Sequence, residues 1–134
     1  LEVYLDSDIL IDFLRGDRET VKTIRWLEEE HELATTSINI FELYYGAYRT
    51  ARQKNVEAVD ELASRLEVSN LTEKSAKISA RVIVELQFAG KVIDLRDALI
   101  AGVVIENNAV LFTRNVKHFR RVKELKLFEV GKEF

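Results

Sequence analysis

Three acids stand inside stretches that otherwise read as buried core. Asp6 ends the apolar run Val3-Tyr4-Leu5, and Glu42 lies within Ile38-Asn39-Ile40-Phe41-Glu42-Leu43-Tyr44-Tyr45. Asp97 opens Asp97-Ala98-Leu99-Ile100-Ala101-Gly102-Val103-Val104-Ile105, which carries no further charge. Carboxylates are seldom fully buried unless paired, because an unpaired buried charge is costly or forces the group to neutralise. A fold that accepts this chain must therefore bring the three acids to a common partner, and a divalent cation suits them best.

The hydropathy pattern says where such a meeting can occur. Glu2–Asp6 reads as a short strand, followed by a helix Ile9–Leu14 that Ser7 or Asp8 caps and Gly16 stops. Asp17 caps a helix over Arg18–Glu30, whose apolar Val21, Ile24 and Leu27 recur at helical spacing. A strand is expected over Leu33–Thr36, with Ser37 capping a helix to about Thr50. A polar helix follows near Lys54–Arg65, then a strand around Leu66–Ser69, then a long helix capped by Thr72 and ending before Gly90. Asp94 precedes the apolar helix Leu95–Glu106, which Asn107 and Asn108 terminate. Ala109–Thr113 reads as a strand, Val116–Val122 as a helical turn and Leu127–Val130 as a last strand.

Strands alternating with helices imply one α/β domain over residues 1–134, with a parallel sheet of about five strands and helices on both faces. In such sheets the ligand crevice lies beyond the carboxyl ends of the strands, where strand order reverses. Asp6 and Asn115 fall at or just after two strand ends, and Glu42 and Asp97 are expected in the first turns of helices that start at that end. Four polar residues spread over most of the chain thus fall on one rim.

Two carboxylates about 4 Å apart at an effective dielectric near 20 repel by roughly 4 kcal/mol. Three of them would remove much of a typical stability of about 5–15 kcal/mol, and helix N-termini offset only about 0.3–1 kcal/mol each. A bound divalent cation resolves the conflict. With no cysteine and only His31 and His118 as histidines, an oxygen ligand set selects Mg2+ or Mn2+ over zinc. Such a centre acidifies water and supports in-line attack on phosphate, so a phosphodiester is the natural substrate.

Composition narrows the setting. Hydrophobic residues at 47% with 32% charged describe a soluble globular chain, and no apolar run approaches the length of a membrane span. The absence of cysteine makes the cytoplasm the expected compartment. A net charge of −3 argues against broad, salt-driven nucleic-acid binding, though an acidic metal cleft can carry a basic rim.

The motifs also resemble a known family. Leu5-Asp6-Ser7-Asp8-Ile9-Leu10-Ile11-Asp12-Phe13-Leu14-Arg15-Gly16, Thr36-Ser37-Ile38-Asn39-Ile40-Phe41-Glu42-Leu43-Tyr44-Tyr45-Gly46, Gly90-Lys91-Val92-Ile93-Asp94-Leu95-Arg96-Asp97-Ala98-Leu99-Ile100-Ala101 and Leu111-Phe112-Thr113-Arg114-Asn115-Val116-Lys117-His118-Phe119 follow one another as in the PIN-domain ribonucleases. Length and spacing resemble the VapC toxins of VapBC toxin–antitoxin modules. The resemblance runs from Val3 to about Val130 and implies a Mg2+-dependent endoribonuclease acting on structured RNA such as tRNA or rRNA, a homodimer, and a cognate VapB-like antitoxin. It places the acidic site at Asp6, Glu42 and Asp97, with Asn115 at a fourth position that is often Asp in the wider family. An Asn there brings no charge.

Other residues have plainer readings beside the functional one. Asp8 braces the site or caps the first helix, Asp12 is a solvated helix residue, and Asp94 is spaced from Asp97 as an N-cap is from an N3 acid. Thr113 orients Asn115 or binds phosphate, while Arg114 and Lys117 are the best placed of several basic residues to contact phosphates. Gly46, one turn after Glu42, predicts a close approach of substrate or another helix, and Phe41, Tyr44, Tyr45 and Tyr48 predict core or dimer packing. Two rival readings stay open at this point. One is a receiver-like phosphotransfer protein, with Asp6 and Asp8 as paired acids; the other is a binding module that kept the fold and lost its chemistry through Asn115.

Overall fold

Val3, Tyr4 and Leu5 are all buried, and because successive strand residues face opposite ways, a strand buried at every position must be covered on both sides. This strand, β1 (Glu2–Leu5), is the centre of the sheet. The computed structural model describes residues 2–130, so Leu1 and residues 131–134 of the expected 1–134 domain lie outside the described part. After β1 come α1 (Ser7–Leu14), α2 (Arg18–Glu28), β2 (Glu32–Thr36), α3 (Ser37–Arg49), α4 (Gln53–Ser64) and β3 (Glu67–Ser69). The second half holds α5 (Glu73–Phe88), α6 (Leu95–Glu106), β4 (Val110–Phe112), α7 (Val116–Phe119) and β5 (Lys126–Phe128).

The strands pair in parallel in the order β3-β2-β1-β4-β5, with Val3 opposite Leu33 on one side and Val110 on the other. Val3 and Leu5 pack with Ile9, Leu10, Ile24, Leu27, Leu43, Ala47, Val59 and Leu62, a core supplied by α1 to α4. Tyr4 and Leu111 face the other way, into Val82, Leu86, Ile100, Val103, Val104 and Phe119 from α5, α6 and α7. The chain builds outward from β1 through β2 to β3, then returns to β1's other edge with β4. The order therefore reverses between β1 and β4, and a crevice is expected at their carboxyl ends. Receiver-like folds follow the order 2-1-3-4-5 instead, which removes the phosphotransfer reading.

Several helix starts differ from expectation. Neither Ser7 nor Asp8 caps α1: Asp6 is the N-cap, and its carboxylate accepts from Ser7 N. Thr36, not Ser37, caps α3, accepting from Asn39 N. In both places the strand runs directly into the helix, so the cap is the residue at the junction itself. Asp94 takes the N-cap position of α6, but its exposed side chain makes no cap hydrogen bond. The expected caps Asp17 and Thr72 both hold, Thr72 within a capping box with Ser75. Among the described residues no helix is long and apolar enough to cross a membrane.

Candidate active site

Asp6 leaves the end of β1 at the switch point, and it is 1% exposed. Such a carboxylate needs donors on all sides, and four groups supply them. Ser7 N at 2.8 Å, Asn39 Nδ2 at 2.9 Å and Arg96 Nη2 at 2.7 Å donate to Oδ1, while Thr113 Oγ1 donates to Oδ2 at 2.7 Å. Asn39 is itself buried, on the inward stripe of α3 with Leu43 and Ala47. Its Nδ2 also donates to Ser7 Oγ at 2.8 Å, and its Oδ1 accepts from Thr36 Oγ1 at 2.7 Å. Ser7 Oγ donates in turn to Glu42 Oε1 at 2.7 Å. One chain of hydrogen bonds thus ties the end of β1 to the end of β2 and to α3.

Glu42 is the sixth residue of α3, so it stands in the second turn rather than the expected first, three residues beyond Asn39 and hence on the same side. Asp97 is in the first turn of α6 as expected, and it is 3% exposed. Burial pushes the Asp97 carboxyl up, against the hydrogen bond and charge of Arg96 that pull it down. Asn115, at the N-cap of α7, turns its Nδ2 toward Asp97 Oδ2 at 3.4 Å. Thr113 accepts from Asn115 N at 3.0 Å while donating to Asp6, and at 3% exposure its hydroxyl is committed to orienting these two residues. It does not reach out to phosphate.

Arg96 is the residue the sequence reading passed over. Its Nε donates to Glu42 Oε2 at 2.6 Å, Nη1 to Asp97 Oδ1 at 2.5 Å and Nη2 to Asp6 Oδ1 at 2.7 Å. Burial opposes its charge, but the hydrogen bonds and charges of Glu42 and Asp6 outweigh burial and hold its pKa above the ordinary value. The repulsion that was assigned to a metal to relieve is thus relieved in part by the chain itself. Three carboxylates against one guanidinium still leave two negative charges in excess. The signal was present in Asp94-Leu95-Arg96-Asp97: a cation next to a buried acid, at the head of an apolar helix, needs a partner.

The cleft over these groups holds about 530 Å³ and is lined by Asp6, Ser7, Asp8, Ile11, Glu42, Arg96, Arg114 and Asn115. Asp8 is half-buried; burial first, then the charge of Asp6, raises its carboxyl to about 6. Its Oδ2 accepts from Arg114 N at 3.2 Å, whereas its Oδ1 is buried with no hydrogen-bond partner. Asp8 therefore braces the cleft wall. Arg114 is fixed against that wall by Asp12 at 2.5 Å and Thr20 at 2.6 Å, so Asp12 is a paired residue and not a solvated one. Lys117 and His118 are exposed on α7, outside the cleft lining, and Asp94 is exposed beside it. Arg120 and Arg121 do not rim the cleft either: Arg120 pairs with Glu129, and Arg121 donates to Val92 O at 2.6 Å. At Gly46 a Cβ would meet nothing within 4 Å, so the close approach expected there is not made among the described residues. Phe41, Tyr45 and Tyr48 are 66%, 55% and 64% exposed, which excludes core packing for them.

Three carboxylates and a carboxamide, with no sulfur or imidazole, fit a hard divalent cation. The three carboxylates all meet the Arg96 guanidinium, each at its own nitrogen, while Asn115 meets Asp97. As they stand, no three acids among the described residues are set at ligating spacing, because each carboxylate is turned to a different guanidinium nitrogen.

Comparison with known proteins identifies the family and the fold. The PIN domain family model matches residues 3–125. Ribonuclease VapC2 of Rickettsia felis is 33% identical over 123 residues, which span 90% of this chain and 92% of that protein. The tRNA(fMet)-specific endonuclease VapC of Salmonella typhimurium is 27% identical over 95% of this chain and 96% of its own length. Among solved structures, VapBC2 from Rickettsia felis bound to a DNA fragment from its promoter superposes with a TM-score of 0.89 at 28% identity, covering 96% of this chain and 98% of that one.

Proposed function

This chain belongs to the PIN-domain family and, within it, to the VapC ribonucleases; from that premise we propose that it hydrolyses RNA phosphodiester bonds at the Asp6–Glu42–Asp97–Asn115 rim, with Mg2+ or Mn2+ as cofactor. The observation that carries the reading is the convergence of three carboxylates, from the end of β1, from α3 and from α6, on one guanidinium, that of Arg96, at the switch point of the sheet. Asp6, Glu42 and Asp97 would hold the ion. When bound, the cation supplies the charge that stabilises the phosphoryl transition state and makes water acidic enough to attack. Everything else is positioning by this chain. Asn39, Ser7 N and Thr113 fix Asp6, and Ser7 Oγ fixes Glu42. Thr113 sets the backbone from which Asn115 reaches Asp97. Arg114, held on the cleft wall by Asp12 and Thr20, offers its guanidinium to the RNA backbone, and Lys117, exposed on α7 outside the cleft lining, is a further cation for it.

By the same premise the substrate is a structured RNA of the tRNA or rRNA kind, the setting is the cytoplasm, and the partners are a VapB-like antitoxin and a second copy of the chain. The name of the Salmonella relative supports the first, the Rickettsia felis VapBC2 complex supports the antitoxin, and the exposed Phe41–Tyr45 ring stack, with exposed Tyr48 beyond it, supports pairing through α3. The test is cleavage of total RNA with Mg2+ or Mn2+, beside an EDTA control and the Asp97→Asn variant. Cleavage by the parent alone, lost in EDTA, is the expected result. Cleavage that survives EDTA or Asp97→Asn would remove the metal site from the reading.

A further inference from the structure

Arg96 is the only cation among the described residues that touches all three site carboxylates, and it does so with three separate nitrogens. A divalent cation held by Asp6, Glu42 and Asp97 needs oxygens of the same three carboxylates at about 2.1 Å for Mg2+, and a guanidinium docked on all three would be repelled by the like-charged ion. We propose that Arg96 is a built-in counter-cation whose docking on Asp6, Glu42 and Asp97 and whose displacement by a divalent metal are mutually exclusive states of the site. The inference rests on the metal-site reading above and adds the competitor that sets the affinity of that site.

Three features make the exchange workable. The Arg96 side chain is 33% exposed and lines the open cleft, so it has a route outward without disturbing the core. It sits in the first turn of α6, where the side chain moves while Ala98, Ile100 and Ala101 stay buried and hold the helix. The acids have other partners besides Arg96: Asn39, Ser7 and Thr113 hold Asp6 and Glu42, and Asn115 Nδ2 faces Asp97 at 3.4 Å. The competitor is tethered, so it cannot be diluted away, and the measured metal affinity equals the intrinsic one scaled by the fraction of molecules with Arg96 undocked. The device keeps the acidic site folded before metal arrives and ties its loading to the free cation concentration.

The experiment is calorimetric titration of Mn2+, without RNA, into the full chain and into Arg96→Gln, Arg96→Lys and Arg114→Gln, with thermal melts of each in EDTA. Arg96→Gln is expected to bind Mn2+ about tenfold more tightly or better, within the usual range for two ligands coupled through one site. It should also melt below the parent in EDTA, with the gap closing at saturating Mn2+. Arg96→Lys keeps the charge and with it the fold, but an ammonium cannot engage three carboxylates in a fork, so its Mn2+ affinity should fall between the two. Arg114→Gln removes the same charge from the same cleft and should move the affinity by less than about threefold, since its guanidinium does not touch the three acids. Equal Mn2+ affinity in the parent and both Arg96 variants would overturn the competition while leaving the metal site standing. An equal gain in Arg114→Gln would overturn it too, reducing the effect to general electrostatics. No Mn2+ binding by any of the four proteins would overturn the metal reading and this inference together.

Discussion

Asn39 decides more at this site than its chemistry advertises. An amide cannot carry charge, yet here one nitrogen donates to both Asp6 and Ser7 while the oxygen accepts from Thr36. Replacing it by alanine leaves Ser7 and Thr36 short of a partner and lets Asp6 rotate. Asn39→Ala should cost about 1–3 kcal/mol of stability. It should also lower RNA cleavage by about 10–100-fold, the loss usual when a group orienting a metal ligand is removed. Denaturant melts and cleavage rates measured together test this, and unchanged cleavage at reduced stability would make Asn39 a purely structural residue. Asp97→Asn behaves differently. The amide oxygen still accepts from Arg96 and the negative excess falls from two to one, so the metal-free variant should melt at the parent's temperature or above while cleavage is lost. A clear drop in metal-free melting temperature would show that the Arg96–Asp97 pair is worth more than the repulsion it offsets. The acids were legible in the sequence because charge inside an apolar run is conspicuous. Asn39 and Arg96 were not, because an Asn between isoleucines and an Arg beside an Asp have many ordinary explanations until the partners 33 to 90 residues away are in view.

Among the elements, the α5–α6 pair covers most of one face of the sheet beside α7, and its fit depends on Gly102. A Cβ there would stand 2.0 Å from Ser79 Oγ and 2.5 Å from Ser75 O, distances no real methyl group tolerates. Gly102→Ala should therefore cost about 1–3 kcal/mol or more by forcing the helices apart, despite alanine's better helix propensity. Ser79→Ala alone removes a buried hydroxyl that has no hydrogen-bond partner and should be neutral or stabilising. Combined, the two should recover only part of the loss, since the Ser75 carbonyl remains in the way; full recovery would mean that the hydroxyl was the sole obstacle. On the other face, α2 begins at Asp17, whose carboxylate accepts from Thr20 N and Thr20 Oγ1 and is thereby held below its usual pKa. A depressed carboxylate stabilises the fold above its unfolded value of about 3.9 and loses that contribution as pH falls through the folded pKa. The melting-temperature gap between the parent and Asp17→Ala should accordingly be widest near neutrality and narrow below pH 4; a gap independent of pH would assign the cap to geometry rather than charge. Helices were legible nearly to the residue where punctuation is strong, as for Leu95–Glu106 between Asp94 and Asn107. Strands were read too long at β4 and β5 because Thr113 and Val130 continue the apolar or β-branched pattern after the ladder has ended. Nothing in the pattern marks the last paired residue.

Over the whole molecule, the acids are drawn from both layers that sandwich the sheet. Glu42 comes with the α1–α4 layer, Asp97 with the α5–α7 layer, and Asp6 from the central strand between them. The site is therefore a clasp across the fold, and any cation in it, guanidinium or metal, ties the two layers at the switch point of β1 and β4. A ligand that binds only the folded state stabilises it by about 2.7 kcal/mol at a hundredfold excess over its Kd. For a domain of 134 residues that corresponds to a rise of roughly 6–10 °C in melting temperature. Mn2+ should raise the melting temperature of the parent by this amount, EDTA should reverse it, and Asp97→Asn should show little of it. The rise should appear as one cooperative transition, because loss of the clasp releases both cores together. A rise equal in Asp97→Asn would place the ion elsewhere on the surface. A second, separate transition would instead show that the two layers unfold independently, with the clasp holding only one of them.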